Sequence, residues 1–331
     1  MNPPTPSRDQ LLEMAAQFRV SCVLGAAAEL DLFAAIGAQS LGAEELSKKI
    51  RADLRATRML ADALTALGLL EKQSDDSYAV PAELRPLLTN GPKSILPMVL
   101  HNMNLVRAWS KLAVAVRMGK PPEREPSIRG ADGDRAAFIA AMHSISMAIA
   151  DNLVARLGPP QFTHLLDVGG ASGTWTLAFL RAVPGAKATL FDLPDAIAQA
   201  QQRLAGSEFA PRAKLVTGDF YADPLPSGAD YAWVSAIIHQ HSREETRALF
   251  AKVYAALVPG GRIGVRDVVM QPDRTRPVFG ALFAINMLVN TERGGTYTFD
   301  EIAEDLRSAG FGEPRVAVSA DDMTAVVEAT K

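Results

Sequence analysis

The chain has few of the residues on which several common kinds of site depend. It contains one cysteine, Cys22, among 331 residues, which excludes a disulfide within the chain and a cysteine-based metal site. Histidines number five and aromatic residues make up 6%. No charged-then-apolar leader opens the sequence, and no apolar run approaches the length expected of a membrane-spanning helix. We therefore expect a cytoplasmic protein in a reducing compartment.

An excess of charge of one sign is also missing. The sequence holds 34 basic and 37 acidic residues, for a formal net charge of −3, and the two signs are mixed along the chain. This balance argues against nucleic acid or an anionic membrane as the main partner. Apolar residues are abundant at 48%, which is enough for a large core, and the length suits about two domains.

The N-terminal part is predicted to be mostly helical. Apolar periodicity predicts helix from about residue 10 to 36. It then predicts a helix over SLGAEELSKKI, with Ser40 as its N-cap, and a helix over RADLRATRMLADALTALGLL. A polar turn around residues 74–76 follows, between two short apolar stretches. Helix, turn, helix and small hairpin is the outline of a winged helix.

A winged helix has two interpretations here. A DNA-binding one needs a basic recognition helix, and the segment does contain several basic side chains, at Lys48, Lys49, Arg51, Arg55 and Arg58. The region to about residue 95 is nevertheless slightly acidic, which disfavours DNA binding. The other interpretation is a module that packs against a second copy of the chain, since the stretch CVLGAAAEL is apolar on most sides.

The middle and C-terminal parts differ in pattern. Residues 96–158 indicate more helix, interrupted by the polar loop KPPEREPSIRGADGDR and resumed by AAFIAAMHSISMAIADNLVARLG. From residue 159, short buried strands alternate with helices, as in HLLDVGG, GTWTLAFLRAVP, AKATLFDLP, DAIAQAQQRLA and AKLVTGDFY. This alternation predicts an α/β domain with a parallel sheet covered by helices on both faces.

A glycine turn ends the first of these strands. In LLDVGGASGT, Gly169, Gly170 and Gly173 allow a tight bend and a close approach to a ligand at the carboxyl edge of the sheet. The stretch does not fit the G-x-G-x-x-G pattern of a dinucleotide site. Asp167 lies just before the turn, where it would repel phosphate but suit a cationic ligand.

Acids also end the next two strands. Asp192 has about the spacing from the glycines at which an acid accepts hydrogen bonds from a ribose. In TGDFY, Asp219 can accept from an exocyclic amine and Phe220 can stack on a purine. A single acid at a strand end is more often a helix or turn cap. Acids on successive strands together indicate a site for one adenosine-bearing ligand.

The stretch SAIIHQHSREET contains two neighbouring histidines, His239 and His241. A metal pair would need further ligands, and no flanking sequence has ligand spacing, so no metal is predicted. Ser242 and Glu245 form a capping box for the next helix, which leaves His241 beside the cap and partly solvated. His239 directly follows a strand and is the better candidate for a general base.

Several motifs occur together in one order, namely LLDVGGASG, FDLP, GDFY, IIH, LVPGGRIGVRDVVM and GGTYTFDEIAEDLRSAGF. They resemble the S-adenosylmethionine-dependent small-molecule O-methyltransferases, the group typified by caffeic-acid and hydroxyindole O-methyltransferases. The resemblance implies a Rossmann-like α/β methyltransferase domain with an antiparallel last strand, for which EPRVAVSA and MTAVVEAT are suitable. It divides the chain into a winged-helix dimerisation domain (1–95), a helical linker contributing to the substrate pocket (96–158) and a catalytic domain (159–331).

The same resemblance implies roles for individual residues. His239 would be the base, oriented by Asp267. The cofactor-binding candidates are Asp167, Gly169, Gly170, Gly173, Asp192, Leu193, Asp219 and Phe220. The acceptor would lie between two helical segments, with wall candidates Met142, His143, Met147, Phe283, Asn286, Met287 and Asn290. We expect S-adenosyl-L-methionine as cofactor, a small aromatic hydroxyl as substrate, and a homodimer that binds neither nucleic acid nor membrane.

The sequence departs from the family pattern at three places. His-Gln-His stands where the family has His-Asp-Trp, Ala171 replaces the middle glycine, and the stretch Gly294–Thr298 lacks a second orienting acid. These departures leave open a non-methylating enzyme of the same fold, such as a hydroxylase or cyclase. A winged-helix regulator that senses a ligand is the remaining alternative.

Overall fold

The structure is a computed structural model, and it describes residues 4–158 and 161–331. The chain forms two compact units, one with residues up to 107 and 124–142, the other with 108–123 and 143–331. The segment 96–158 is thus shared between the units. Residues 159 and 160, where the sequence places the start of the catalytic domain, lie outside the described residues, so the three-part division stays a prediction.

The first unit contains the winged helix. Its elements are α1 (Arg8–Ala16), α2 (Phe18–Glu29), α3 (Leu32–Ile36), β1 (Ser40–Gly42), α4 (Ala43–Ile50), α5 (Leu54–Ala66), β2 (Glu71–Lys72), β3 (Ser77–Ala79) and α6 (Arg85–Leu88). Strand β3 pairs antiparallel with both β1 and β2. The predicted helices and hairpin are therefore confirmed. The predicted cap was wrong, because Ser40 lies in β1 and α4 begins after Gly42.

The core of this unit and its outer helix differ sharply in exposure. The core is one cluster of apolar side chains, and its fully buried members include Leu32, Phe33, Leu46, Leu64 and Tyr78. Helix α1 buries no residue at all. Large apolar side chains that are more than half exposed follow one another along α1 and α2, at Leu11, Leu12, Met14, Phe18 and Val20.

The remaining helices and strands lead into the second unit. They are α7 (Leu96–Trp109), α8 (Leu112–Met118), α9 (Gly130–Arg156), β4 (His164–Val168), α10 (Thr174–Ala182), β5 (Lys187–Asp192), α11 (Pro194–Leu204), β6 (Ala213–Thr217), β7 (Ala229–Ser235), α12 (Arg243–Ala256), β8 (Leu257–Arg266), β9 (Val269–Met270), α13 (Val278–Asn290), β10 (Tyr297–Thr298), α14 (Phe299–Ser308), β11 (Arg315–Val318) and β12 (Val326–Thr330). Helices α7 and α9 carry residues of both units.

The main sheet has the strand order β11-β12-β8-β7-β4-β5-β6 within the described residues. Strands β4 to β8 are parallel, whereas β12 runs antiparallel to β8 and β11 antiparallel to β12. The chain moves outward from β4 to β6 and then returns to place β7 on the other side of β4. The order therefore reverses at β4 and β7, the position at which such sheets bind ligands.

Alternating side chains of the central strands fill a core on each face of the sheet. Leu166 and Val234 belong to one buried cluster, whereas Leu165, Tyr231 and Trp233 belong to another. Strands buried on both faces are expected where helices cover a parallel sheet. The predicted α/β Rossmann-like domain with its antiparallel closing hairpin is confirmed.

Two helical stretches are long and apolar enough to cross a membrane by length and composition alone. They are Arg8–Glu29, of 22 residues, and Gly130–Arg156, of 27. The expectation that no apolar stretch approaches this length was wrong, because frequent alanines keep the mean hydropathy high without forming an unbroken run of large apolar residues. Core helices of soluble proteins pass the same test, and Ala150, Leu153 and Val154 of α9 do lie in a buried cluster.

Candidate active site

The candidate site lies at the carboxyl edge of the main sheet. Because β4, β6 and β7 are parallel members of one sheet, the residues that follow them emerge at the same edge. A Cβ placed on Gly169 would lie 2.6 Å from Ile237 Cδ1 and 3.8 Å from Phe220 Cε1. The glycine turn, the loop after β6 and the segment before His239 therefore meet at one place.

Positive φ angles shape the glycine turn. Gly169 and Gly173 have φ of 65° and 77°, and Ala171 has φ of 46°. Alanine is strained in this left-handed region. The N–H of Ala171 donates to Asp192 Oδ2 at 2.8 Å. A Cβ on Gly170 would lie 2.7 Å from both Asp167 Oδ2 and Leu190 Cγ. Glycine is thus required where the turn crosses the buried carboxylate.

Asp167 lies beneath this turn and is 1% exposed. Its Oδ2 accepts from the backbone N–H of Thr176 at 3.1 Å and from the Thr176 hydroxyl at 2.6 Å, which joins β4 to the first turn of α10. Its Oδ1 is buried and has no partner among the described residues. Burial raises the pKa of Asp167 to about 7. An unpaired buried carboxylate oxygen favours a cation nearby.

Asp192 ends β5 with its carboxylate fixed by backbone donors. Leu193 N–H donates to Oδ1 at 2.7 Å and Ala171 N–H donates to Oδ2 at 2.8 Å. Burial raises the pKa of Asp192, although both bonds lower it. Each carboxylate oxygen retains a lone pair for a further donor. Leu193 beside it is 52% exposed.

The loop after β6 carries the next two predicted residues. Asp219 Oδ1 accepts from Tyr221 N–H at 2.9 Å, and Asp219 N–H donates to Asp223 Oδ2 at 2.8 Å. Phe220 lies between this turn and Gly169. Strand ends of β4, β5 and β6 thus supply acids and an aromatic ring along one edge.

His239 lies in a short 3-10 turn (Ile238–Gln240) after β7 and pairs with Asp267 after β8. Its Nδ1 is 3.0 Å from Asp267 Oδ1 and 2.9 Å from Oδ2, and both side chains are buried. A nitrogen facing a carboxylate at this distance carries the proton. In the neutral imidazole the other ring nitrogen, Nε2, is then a hydrogen-bond acceptor. In the described part of the chain Nε2 bonds to no protein atom, and it is not enclosed.

A double glycine supports the His239 turn from behind. Gly295 N–H donates to the His239 carbonyl oxygen at 2.9 Å. A Cβ on Gly294 would clash with that same oxygen and with Thr291 Oγ1. The segment 294–298, which lacks the second orienting acid of the family pattern, therefore supports the His239 backbone through close packing.

The second histidine, His241, is 2% exposed, so the expectation of partial solvation was wrong. Its Nε2 lies 2.6 Å from the Tyr221 hydroxyl, and its carbonyl accepts from the Tyr297 hydroxyl. Burial lowers the pKa of His241. The capping box of Ser242 and Glu245 is present. Across residues 4–158 and 161–331, no three His, Cys, Asp or Glu side chains form a cluster that could hold a metal ion.

Helix α13 provides most of the expected acceptor wall. The Phe283 ring contacts the His239 ring edge-on, with centroids 4.9 Å apart, and stacks on Phe279 at 5.7 Å. Asn286 Oδ1 accepts from Trp109 Nε1 and from Asn290 Nδ2, each at 3.0 Å. Met287, by contrast, is buried in the protein rather than open to a cleft.

The candidates on α9 lie in different surroundings. Met142 belongs to the first compact unit, and Met147 is 52% exposed. His143 lies against the glycine turn, where its Nδ1 accepts from Arg203 Nη1 at 2.6 Å and lies 3.2 Å from Ser172 Oγ. The structure thus brings His143 to the turn after β4.

Sequence reasoning missed several residues of this edge. Arg203 Nη1 also donates to Thr174 Oγ1 at 2.7 Å, so it ties α11 to the start of α10. Thr176 fixes Asp167, and Trp109 fixes Asn286. The contacts of Arg203 and Trp109 join distant segments, and that of Thr176 joins a strand to the next helix. A single sequence contains no signal for such tertiary contacts.

Family models match most of the chain. A model described as an O-methyltransferase domain matches residues 125–312, and one described as an O-methyltransferase dimerisation domain matches residues 12–83. The chain belongs to the O-methyltransferase family.

Named relatives agree with this assignment. The chain is 33% identical to the tetracenomycin polyketide synthesis 8-O-methyl transferase TcmO of Streptomyces glaucescens, covering 96% of this chain and 95% of the relative. It is 31% identical to the 3-hydroxy-5-methyl-1-naphthoate 3-O-methyltransferase of Streptomyces sahachiroi, covering 92% and 90%. Human N-acetylserotonin methyltransferase in complex with S-adenosylmethionine superposes with a TM-score of 0.80 at 28% identity, covering 100% and 99%.

These matches confirm the prediction that this O-methyltransferase is an S-adenosylmethionine-dependent enzyme with a Rossmann-like domain. The dimerisation-domain match supports homodimer formation. Neither a non-methylating enzyme nor a ligand-sensing regulator finds support among them.

Proposed function

We propose that this O-methyltransferase transfers a methyl group to a hydroxyl of a small aromatic molecule and that His239 is the general base. The pairing of His239 with Asp267 carries the proposal, because it orients the neutral imidazole with Nε2 as an open acceptor beside an aromatic wall formed by Phe283 and Phe279. The relatives named above act on a polyketide, a hydroxynaphthoate and N-acetylserotonin by their names, which favours a flat aromatic acceptor.

The turn after β4 fits S-adenosylmethionine. The unpaired Oδ1 of Asp167 suits a ligand with positive charge, and the turn itself has room only for glycine at 170. Asp192 would accept from the ribose, with Leu193 against the nucleoside. Asp219 and Phe220 would contact the adenine. Gly169 and Gly173 complete the predicted cofactor set, and the cofactor supplies an electrophilic methyl group on a sulfonium.

The chain itself supplies the proton acceptor. His239 Nε2 would take the proton from the acceptor hydroxyl as its oxygen forms the new bond to carbon. Asp267 would stabilise the imidazolium that results and keep the ring in the required tautomer. Phe283 and Phe279 would hold the aromatic ring of the acceptor beside Nε2.

The test uses methyl-labelled cofactor and a panel of phenols. We expect labelled product from wild type, and a loss of about a hundredfold or more in kcat for His239→Gln with unchanged cofactor affinity by calorimetry. His164→Gln is the matched control, since His164 lies at the opposite end of β4. Full turnover by His239→Gln would remove His239 as the base, and labelling of none of the phenols would contradict the acceptor class.

We also propose that the homodimer forms through α1 and α2. This face exposes Leu11, Leu12, Met14, Phe18 and Val20, and the dimerisation-domain match covers it in large part. A group of exposed large apolar side chains on neighbouring helices is typical of a surface that is covered by a partner.

A further inference from the structure

A pair of hydrogen bonds fixes the orientation of the Asn286 side-chain amide. The indole Nε1 of Trp109 is a donor only, so the Asn286 atom 3.0 Å from it is the carbonyl oxygen Oδ1. Asn290 Nδ2 donates to the same oxygen at 3.0 Å. Both lone pairs of Oδ1 are therefore occupied. If the amide were flipped, Asn286 Nδ2 would face the Trp109 Nε1–H, and two donors would oppose each other.

The opposite atom of the amide is left available. Asn286 Nδ2 donates to no protein atom in the described residues and is not enclosed. Asn286 follows Phe283 by one turn of α13, so the two side chains are neighbours on one helix face. Phe283 in turn contacts His239. Phe283 therefore neighbours both His239, whose Nε2 is a hydrogen-bond acceptor, and Asn286, whose Nδ2 is a pure donor.

We propose that this enzyme selects aromatic hydroxyls that have a carbonyl oxygen nearby, as in hydroxyaryl ketones and hydroxyquinones, and that Trp109 is a specificity-positioning residue. The hydroxyl would donate to His239 and the carbonyl would accept from Asn286. A second hydroxyl in place of the carbonyl would leave its own proton without an acceptor, because Oδ1 is already filled. The inference rests on the proposed acceptor site.

The test measures binding, so it does not depend on methyl transfer. Ortho-hydroxyacetophenone and ortho-ethylphenol differ at the carbonyl alone, and their affinities are measured by calorimetry with S-adenosylhomocysteine present. We expect the ketone to bind about tenfold more tightly to wild type, as one additional hydrogen bond in a desolvated site provides. In Trp109→Phe, which removes only the fixing donor, the ratio should fall towards unity.

A matched control separates this effect from loss of packing. Trp233→Phe makes the same change at a buried indole whose Nε1 has no partner, so its ketone preference should equal that of wild type. Asn286→Leu should abolish the preference while retaining affinity for ortho-ethylphenol. Equal affinities of the two phenols for wild type, tighter binding of catechol than of the ketone, or an unchanged ratio in Trp109→Phe would overturn the inference. Methyl transfer assayed in parallel tests the proposed function separately.

Discussion

Burial has a clear energetic consequence for Asp167, because it disfavours the ionised carboxylate. One carboxylate oxygen is held by Thr176, the other is unpaired, and the side chain has no access to water. The charged form is penalised by this environment. A cationic ligand at the turn would relieve the penalty.

The raised pKa of Asp167 predicts how stability changes with pH. The native state binds this proton more tightly than the unfolded chain, so the free energy of unfolding should decrease as pH rises from about 3.8 to about 7. Asp167→Asn keeps an oxygen that accepts from Thr176 but does not titrate. Its free energy of unfolding should therefore lack this decrease with pH. Thermal unfolding of both proteins across that pH range is the measurement. Parallel profiles would show that Asp167 is ionised throughout.

Residue types at the site were predictable, whereas their contacts were not. The acids at or near the ends of β4, β5 and β6 and the base after β7 are visible in the sequence, and the structure brings them to one edge. The bonds of His143 to Arg203 and of Asn286 to Trp109 join segments far apart in the chain. Such pairings depend on tertiary packing, so neither residue's partner was predictable.

At the scale of elements, the double glycine before β10 supports the turn that carries His239. Gly294 packs against the His239 carbonyl, whereas a Cβ on Gly295 would meet nothing within 4 Å. Gly294→Ala should therefore displace the His239 turn and lower kcat by about tenfold or more, by loss of alignment. Gly295→Ala is the matched control and should keep near wild-type kcat. Steady-state kinetics distinguish the two, and equal activity of both variants would contradict this role.

Element identity was predicted better than element ends. Strands β4 to β8, the closing hairpin and the winged helix follow from apolar periodicity. Helix α9, however, begins at Gly130, within the stretch interpreted as loop. Its start is fixed by Asp134, whose carboxylate accepts from the N–H and hydroxyl of Ser127. The glycines and charges of GADGDR have low helix propensity or suggest a solvent-exposed loop, so the start of α9 was not predicted. Propensity is only a weak guide, since tertiary contacts can override it.

At the scale of the whole molecule, the apolar face of α1 and α2 predicts the oligomeric state. Leu12→Asp combined with Phe18→Asp should convert the proposed dimer to a monomer, because two charges from each subunit would have to be buried at its interface. Val316→Asp is the control, since Val316 is an exposed apolar residue on β11 of the other unit. Sedimentation velocity gives the answer. A double variant that stays dimeric would place the interface elsewhere.

The position of Trp109 also gives the molecule an internal optical reporter. The sequence has three tryptophans, and Trp175 and Trp233 are 5% and 0% exposed. Trp109 is half-buried, and its indole is bonded to the amide beside the aromatic wall. Its emission will be sensitive to whatever occupies that wall, so occupancy can be followed in real time by fluorescence without attaching a dye.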